Sequence, residues 1–151
     1  KMNPPLRSPK DVEAITYALK NDVLDVIATD HAPHSKEEKE LSMAEAPFGI
    51  VGLETAFSIA YTELVKTGIL TKSQLVEKMS LNPARILGID RGCIGEGKIA
   101  DIVIADSDAE YTIDRRDFLS KGINTPFAGR KVNGRILYTI VSGKIIYEYK
   151  N

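Results

Sequence analysis

Cysteine and histidine are scarce in this chain of 151 residues: there is one cysteine, Cys93, and two histidines, His31 and His34. A single cysteine excludes an internal disulfide framework and any thiolate-rich metal centre, and beside Gly92 and Ile94 it reads as a small space-filling residue in a reducing compartment. Net charge is equally sparse. The 20 basic and 21 acidic residues give a formal charge of -1. The two signs are interspersed, so no basic footprint for nucleic acid or an anionic membrane is present. No apolar run approaches the roughly 18 residues of a membrane span, and Lys1 to Arg7 has no signal-peptide core. The expectation is a cytoplasmic protein. Repeats and low-complexity tracts are missing too. The glycines of Gly92-Cys93-Ile94-Gly95-Glu96-Gly97 lack the Lys-Ser/Thr pair of a phosphate loop and read as tight turns. Nothing resembles a nucleophile elbow, and a triad built from Ser35, His34 and Asp30 would rest on sequence proximity alone.

What is present reads as an α/β chain. With 43% hydrophobic residues, it could bury roughly 70% of its unfolded surface as one domain. It opens on Lys1-Met2-Asn3-Pro4-Pro5-Leu6-Arg7, a Pro-Pro turn with no element leading in, as if entered midway. Ser8-Pro9-Lys10-Asp11 then supplies an N-cap, a first-turn proline and an acidic third position for a helix carrying Val12, Ile15 and Leu19 on one face. The apolar run Val23 to Ala28 follows as a short buried strand, which would complete half of a βα repeat.

Ser35 to Leu41 is charged and reads as a solvated face or mobile loop. Ala46 to Gly52 combines a proline, two glycines and Phe48, and suits a structured loop whose backbone closely approaches a ligand or a neighbouring loop. Helical spacing begins near Leu53 and runs through Ala56, Phe57, Ala60, Tyr61, Leu64 and Val65 to Gly68. Thr71 can cap a second helix through Leu75, Val76 and Met79, and Asn82-Pro83 can start a third through Ile86 and Leu87. Beyond Gly88 strands replace helices: one around Ala100 to Asp106, then a hairpin of Ile136 to Val141 and Lys144 to Tyr147 about Ser142-Gly143.

Both histidines fall within Ala28-Thr29-Asp30-His31-Ala32-Pro33-His34-Ser35, at the end of the apolar run. An Asp and His where a strand finishes suit a metal-assisted hydrolytic site on a parallel barrel, although a catalytic zinc usually needs three protein ligands. The competing reading is an Asp-capped turn with two ordinary polar histidines.

The wider pattern resembles the class I dihydroorotases. Asn3-Pro4-Pro5-Leu6-Arg7, Thr29-Asp30-His31-Ala32-Pro33-His34-Ser35 with Glu38-Lys39, Phe48-Gly49-Ile50-Val51-Gly52-Leu53-Glu54-Thr55, Asn82-Pro83-Ala84, Gly97-Lys98-Ile99-Ala100-Asp101 and Asn124-Thr125-Pro126-Phe127-Ala128-Gly129 carry the likeness, which covers essentially the whole chain. Dihydropyrimidinases and allantoinases share the Pro-Pro-Leu-Arg, Thr/Ser-Asp-His and glycine-rich landmarks. Asn3 and His34 are the more specific marks.

The resemblance implies the C-terminal portion of a metal-dependent (β/α) TIM-type barrel at residues 1–88, with the last strand and following helices, and the C-terminal strands of a small β-sandwich at 89–151. The implied activity is zinc-dependent, reversible hydrolysis of the cyclic amide of L-dihydroorotate to N-carbamoyl-L-aspartate. Asp30 is implied as both metal ligand and catalytic acid/base. Asn3, His34, Phe48 and Gly49 are implied as substrate contacts. Arg7 reads as a structural anchor, and no functional match carries over to His31. One or two zinc ions would be held mostly by residues absent from this chain, which is then an incomplete and inactive piece. It would associate with another copy or with the missing N-terminal part. A non-catalytic module supporting an aspartate transcarbamoylase is the alternative from another class.

Overall fold

The computed structural model describes residues 1–150. Its first helix, α1 (Pro9–Lys20), begins as the sequence dictates: the Asp11 carboxylate accepts from the Ser8 amide at 3.0 Å and from its hydroxyl at 2.7 Å. Of the expected apolar face only Leu19 is buried, while Val12 and Ile15 are 60% and 54% exposed.

The run Val23 to Ala28, expected as the last barrel strand, pairs with no neighbouring strand among the described residues. Its backbone is held by a helix instead: the Ile27 amide donates to the Lys78 carbonyl at 3.0 Å, and Asn82 Nδ2 donates to the Asp25 carbonyl at 3.0 Å. A run of this composition forms a ladder only when another strand lies alongside it, and among the described residues none does. The one pairing nearby is an isolated parallel bridge between His31 and Ile50.

The charged run is a solvated face, exposed except at half-buried Lys39. Ser35 and Glu38 form a capping box around a single turn, α2 (Lys36–Lys39). Next come α3 (Ala56–Ala60), prolonged by a π-helical turn (Tyr61–Val65), and then α4 (Lys72–Val76), a second π-helical turn (Glu77–Leu81) and α5 (Asn82–Leu87). Thr71 caps α4 as expected, with its hydroxyl accepting from the Gln74 amide. Asn82-Pro83 starts α5 as expected, with Pro83 in the first turn, where its missing N–H costs least. Gly88 ends the helix at φ 66°.

Tyr61, Ala60 and Leu75 form the buried cluster between these helices, with Ile27, Phe57, Leu64, Val65 and Met79 packed against it. This apolar contact holds α3 and α4 together.

The remaining chain forms one antiparallel sheet in the order β1 (Ile102–Thr112), β2 (Lys131–Val141), β3 (Lys144–Glu148). Ile102 faces Ile140 and Thr112 faces Lys131, with a register shift between Asp106 and Glu110. The hairpin between β2 and β3 turns on Ser142 and Gly143, both at positive φ (50° and 77°). That is the requirement of a two-residue type I′ turn. Gly134 seats the sheet on α3: a Cβ there would lie 3.1 Å from the Phe57 ring, and Ser58 Oγ donates to its carbonyl at 2.6 Å. Cys93, expected to fill space, is exposed. Among the described residues no helix is long and apolar enough to cross a membrane.

Candidate active site

Three segments that carry the predicted site residues are tied together by main-chain bonds. The Ala32 amide donates to the Ile50 carbonyl at 2.9 Å, and the Gly49 amide donates to the Lys1 carbonyl at 2.9 Å. Residues 1–3, 30–34 and 48–50 thus form one cluster of loops. Asn3 is exposed and stands two residues from the Lys1 contact.

Asp30 lies in the left-handed region at φ 44°, a conformation that Asp tolerates better than most residues. It is exposed. Among the described residues its carboxylate has no hydrogen-bond or ion-pair partner, so both oxygens are free to act on something else.

His34 Nε2 lies 2.9 Å from the Phe48 carbonyl. A carbonyl only accepts, so Nε2 carries the proton and donates. Nδ1 lies 3.9 Å from Glu38 Oε2. The Ser35 N–H bond to the Glu38 carboxylate holds that acid below the ordinary glutamate range, with help from the Ser35 hydroxyl and the nearby His34. His34 and Phe48 are therefore joined directly, side chain to backbone.

His31 performs a different task. Its Nδ1 accepts from the Gly52 amide at 3.0 Å and the Leu53 amide at 3.3 Å, which pins the start of the helical region to the Asp30 loop. The absence of a functional match for His31 agrees with this structural role.

Gly49 has both backbone groups engaged. Its amide reaches Lys1, and its carbonyl accepts from Lys39 Nζ at 3.0 Å and Asn124 Nδ2 at 3.2 Å. The close approach that its conformation permits (φ 111°) is to Ala32, whose Cβ a side chain at Gly49 would strike. Two further glycines grip the same loop. A Cβ on Gly52 would lie 2.9 Å from Thr29 Cβ, and one on Gly122 would lie 2.7 Å from Pro33 Cβ. Of the Phe48 to Gly49 main chain, the Phe48 amide alone has no acceptor among the described residues.

Two organising residues were not singled out from the sequence. Lys39 looked like part of a solvated run, yet its ammonium donates to the carbonyls of Pro47 at 2.9 Å and Gly49 at 3.0 Å. Asn124 stands in the Asn-Thr-Pro-Phe segment that contributed to the resemblance, and a polar residue before Thr-Pro between two strands was the available signal. A cavity of about 390 Å³ opens beside these loops, lined by Lys1, Met2, Lys39, Ile50, Arg115 and Asn124 among others. Asp30, His34 and Phe48 do not line it, so it is a neighbour of the candidate site and not the site itself.

The donor set does not by itself make a metal centre. Among the described residues no three His, Cys, Asp or Glu side chains converge. His31 Nδ1 faces backbone amides and His34 Nε2 faces a carbonyl, while the Asp30 carboxylate has no partner among the described residues.

The amidohydrolase family model matches residues 3–146. The dihydroorotase of Clostridium acetobutylicum is 53% identical over 150 residues, covering 99% of this chain and 35% of that protein. The dihydroorotase of Caldanaerobacter subterraneus subsp. tengcongensis is 55% identical over 148 residues, covering 98% and 34%. The chain thus spans about a third of the length of the curated relatives it matches. Among solved structures, L-hydantoinase (dihydropyrimidinase) from Arthrobacter aurescens superposes with a TM-score of 0.93 at 32% identity, covering 100% of this chain and 35% of that one. Dihydropyrimidinase from Brevibacillus agri gives 0.92 at 28% identity, covering 97% and 33%. With the match extending over residues 3–146, the chain belongs to the amidohydrolase family.

Proposed function

We propose that this chain is part of a dihydroorotase that reversibly hydrolyses the ring amide of L-dihydroorotate to N-carbamoyl-L-aspartate in pyrimidine synthesis, in the cytoplasm. The observation that carries the reading is the unpartnered Asp30 carboxylate on a loop that His34 ties to Phe48. The relatives named dihydroorotase share about half their residues with it (53% and 55%), whereas the structures named hydantoinase or dihydropyrimidinase share 32% and 28%. Substrate follows side chains more closely than backbone, so the higher identity favours dihydroorotate over the substrates of dihydropyrimidinase or allantoinase.

Asp30 takes a proton from the water that adds to the ring carbonyl and returns it to the ring nitrogen as the C–N bond breaks. His34 and Asn3 hold the substrate's carboxylate and amide edges, and the Phe48 amide meets the ring. The Gly49 main chain is engaged elsewhere, so its contribution is to the shape of that loop. Metal dependence is general in the family, and the resemblance implies zinc. This chain offers that ion one donor, Asp30, with the rest of the ligand set supplied by other parts of the whole protein. Residues 1–88 form part of its barrel and 89–151 part of its sandwich. The exposure of Val12, Ile15, Ile145 and Ile146 at 54% or more supports burial of these faces in a larger assembly, against the missing part, another copy or a transcarbamoylase partner.

The test is turnover of dihydroorotate by the full-length enzyme and by its Asp30→Asn variant. The variant is expected to lose on the order of 10²-fold or more in rate at unchanged thermal stability. Near-normal turnover would refute the role of Asp30. Hydrolysis of dihydrouracil or hydantoin in place of dihydroorotate would move the assignment to the dihydropyrimidinases.

A further inference from the structure

Asn124 lies on the connection between β1 and β2, far in sequence from every residue of the proposed site. Its carboxamide nevertheless sits between the two loops that build that site. Oδ1 accepts from the His34 amide at 3.1 Å, while Nδ2 donates to the Ala32 carbonyl at 3.0 Å and to the Gly49 carbonyl at 3.2 Å. The Asn124 main-chain carbonyl accepts from the Val51 amide at 3.1 Å. One residue therefore binds both loops, at 32 and 34 on one and at 49 and 51 on the other.

The chemistry of these contacts admits a carboxamide and little else. One end must accept from an amide, and the other must donate to two carbonyls, which also fixes the orientation of the Asn amide. An Asp in this place would turn a carboxylate toward two carbonyl oxygens. Alanine would leave the His34 amide and the Ala32 carbonyl without partners in a half-buried setting.

We propose that Asn124 is the positioning residue that sets the spacing between the Asp30–His34 loop and the Phe48–Gly49 loop, and through it the fit of the cyclic amide substrate. The inference rests on the dihydroorotase reading for the identity of that substrate, and on the geometry alone for the spacing. The His34 imidazole and the Phe48 amide, on opposite loops, must meet one small ring together. A drift of the order of 1 Å between them weakens binding before it alters the proton transfer at Asp30.

The experiment uses the full-length enzyme and its Asn124→Ala and Asn124→Asp variants. Steady-state kinetics are measured with dihydroorotate, and amide hydrogen exchange is followed in the peptides that contain residues 32–34 and 47–51. Both variants are expected to raise KM about tenfold or more while kcat falls by no more than about threefold. Exchange in both peptides should be faster than in the wild type. A merely structural role would lower kcat with the folded fraction and leave KM unchanged, and that pattern would overturn the proposal. Wild-type KM together with wild-type exchange would overturn it as well. If the wild type opens dihydrouracil or hydantoin instead of dihydroorotate, the functional reading fails by itself. The same KM split is then read on the ring that it does open, with exchange deciding independently of any substrate.

Discussion

The Lys78 ammonium, on a side chain only 2% exposed, donates to Asp22 Oδ1 at 2.9 Å. It also donates to the Leu24 carbonyl at 2.7 Å. The π-helical turn between α4 and α5 thus grips the start of the run that leads to Asp30. Lysine is rarely buried without a partner, and here the partner is a residue that is itself 75% exposed. Replacing Asp22 by Asn keeps a residue that tolerates positive φ but removes the charge facing the buried ammonium. A loss of about 1–3 kcal/mol in urea unfolding is expected, below the cost of a fully buried broken pair because water reaches Asp22. Adding Lys78→Met should recover part of that loss, because the uncompensated charge is then gone. A double variant weaker than Asp22→Asn alone would show that the pair is not coupled in this way.

Gly122 packs against Pro33 with no room to spare. A methyl group there would stand 2.7 Å from Pro33 Cβ and 2.8 Å from its Cα, and the contact is with backbone as well as side chain. Gly122→Ala must therefore displace the loop between Asp30 and His34. The expected stability cost is about 1–3 kcal/mol, as for other overpacked sites. Activity of the full-length enzyme should fall further than that loss of stability explains. Thermal melts paired with kinetics distinguish the two, and full activity in this variant would mean that the loop yields freely.

Glu38 supplies a pH dependence of known sign. Its pKa is depressed in the folded chain, first by the hydrogen bond from the Ser35 amide and then by the Ser35 hydroxyl. The contribution of the capping box is therefore present above the unfolded value of about 4.3 and is lost as pH falls through the lower folded value. The Ser35 amide resonance should be steady at neutral pH and shift only in the acid range, following the titration of Glu38. An amide shift centred at or above about 4.3 would contradict the assignment.

Local chemistry was readable residue by residue. Ser8-Pro9 and Thr71 start helices, Gly88 stops one, and Ser142-Gly143 turns a hairpin, because each acts through backbone atoms within a few positions. The proximity of the Asp30 loop to Phe48 came from a resemblance and not from periodicity. The run Val23 to Ala28 forms no ladder in this chain because pairing depends on a neighbouring strand, and none is present among the described residues. The charged run hid Lys39, since a lysine bound to two carbonyls has the same sequence signature as one in water.

The sequence by itself determined where helices and turns begin and end, because those properties depend on neighbours a few residues away. Only the tertiary structure decided that Asn124 joins the His34 and Gly49 loops, that Gly122 supports Pro33, and that His31 Nδ1 accepts from the Gly52 and Leu53 amides. Most of these contacts join residues dozens of positions apart, and Gly122 and Asn124 reach from the segment between β1 and β2. Their partners are chosen by packing of the α3 and α4 helices and the sheet, and that choice leaves no periodic trace along the chain.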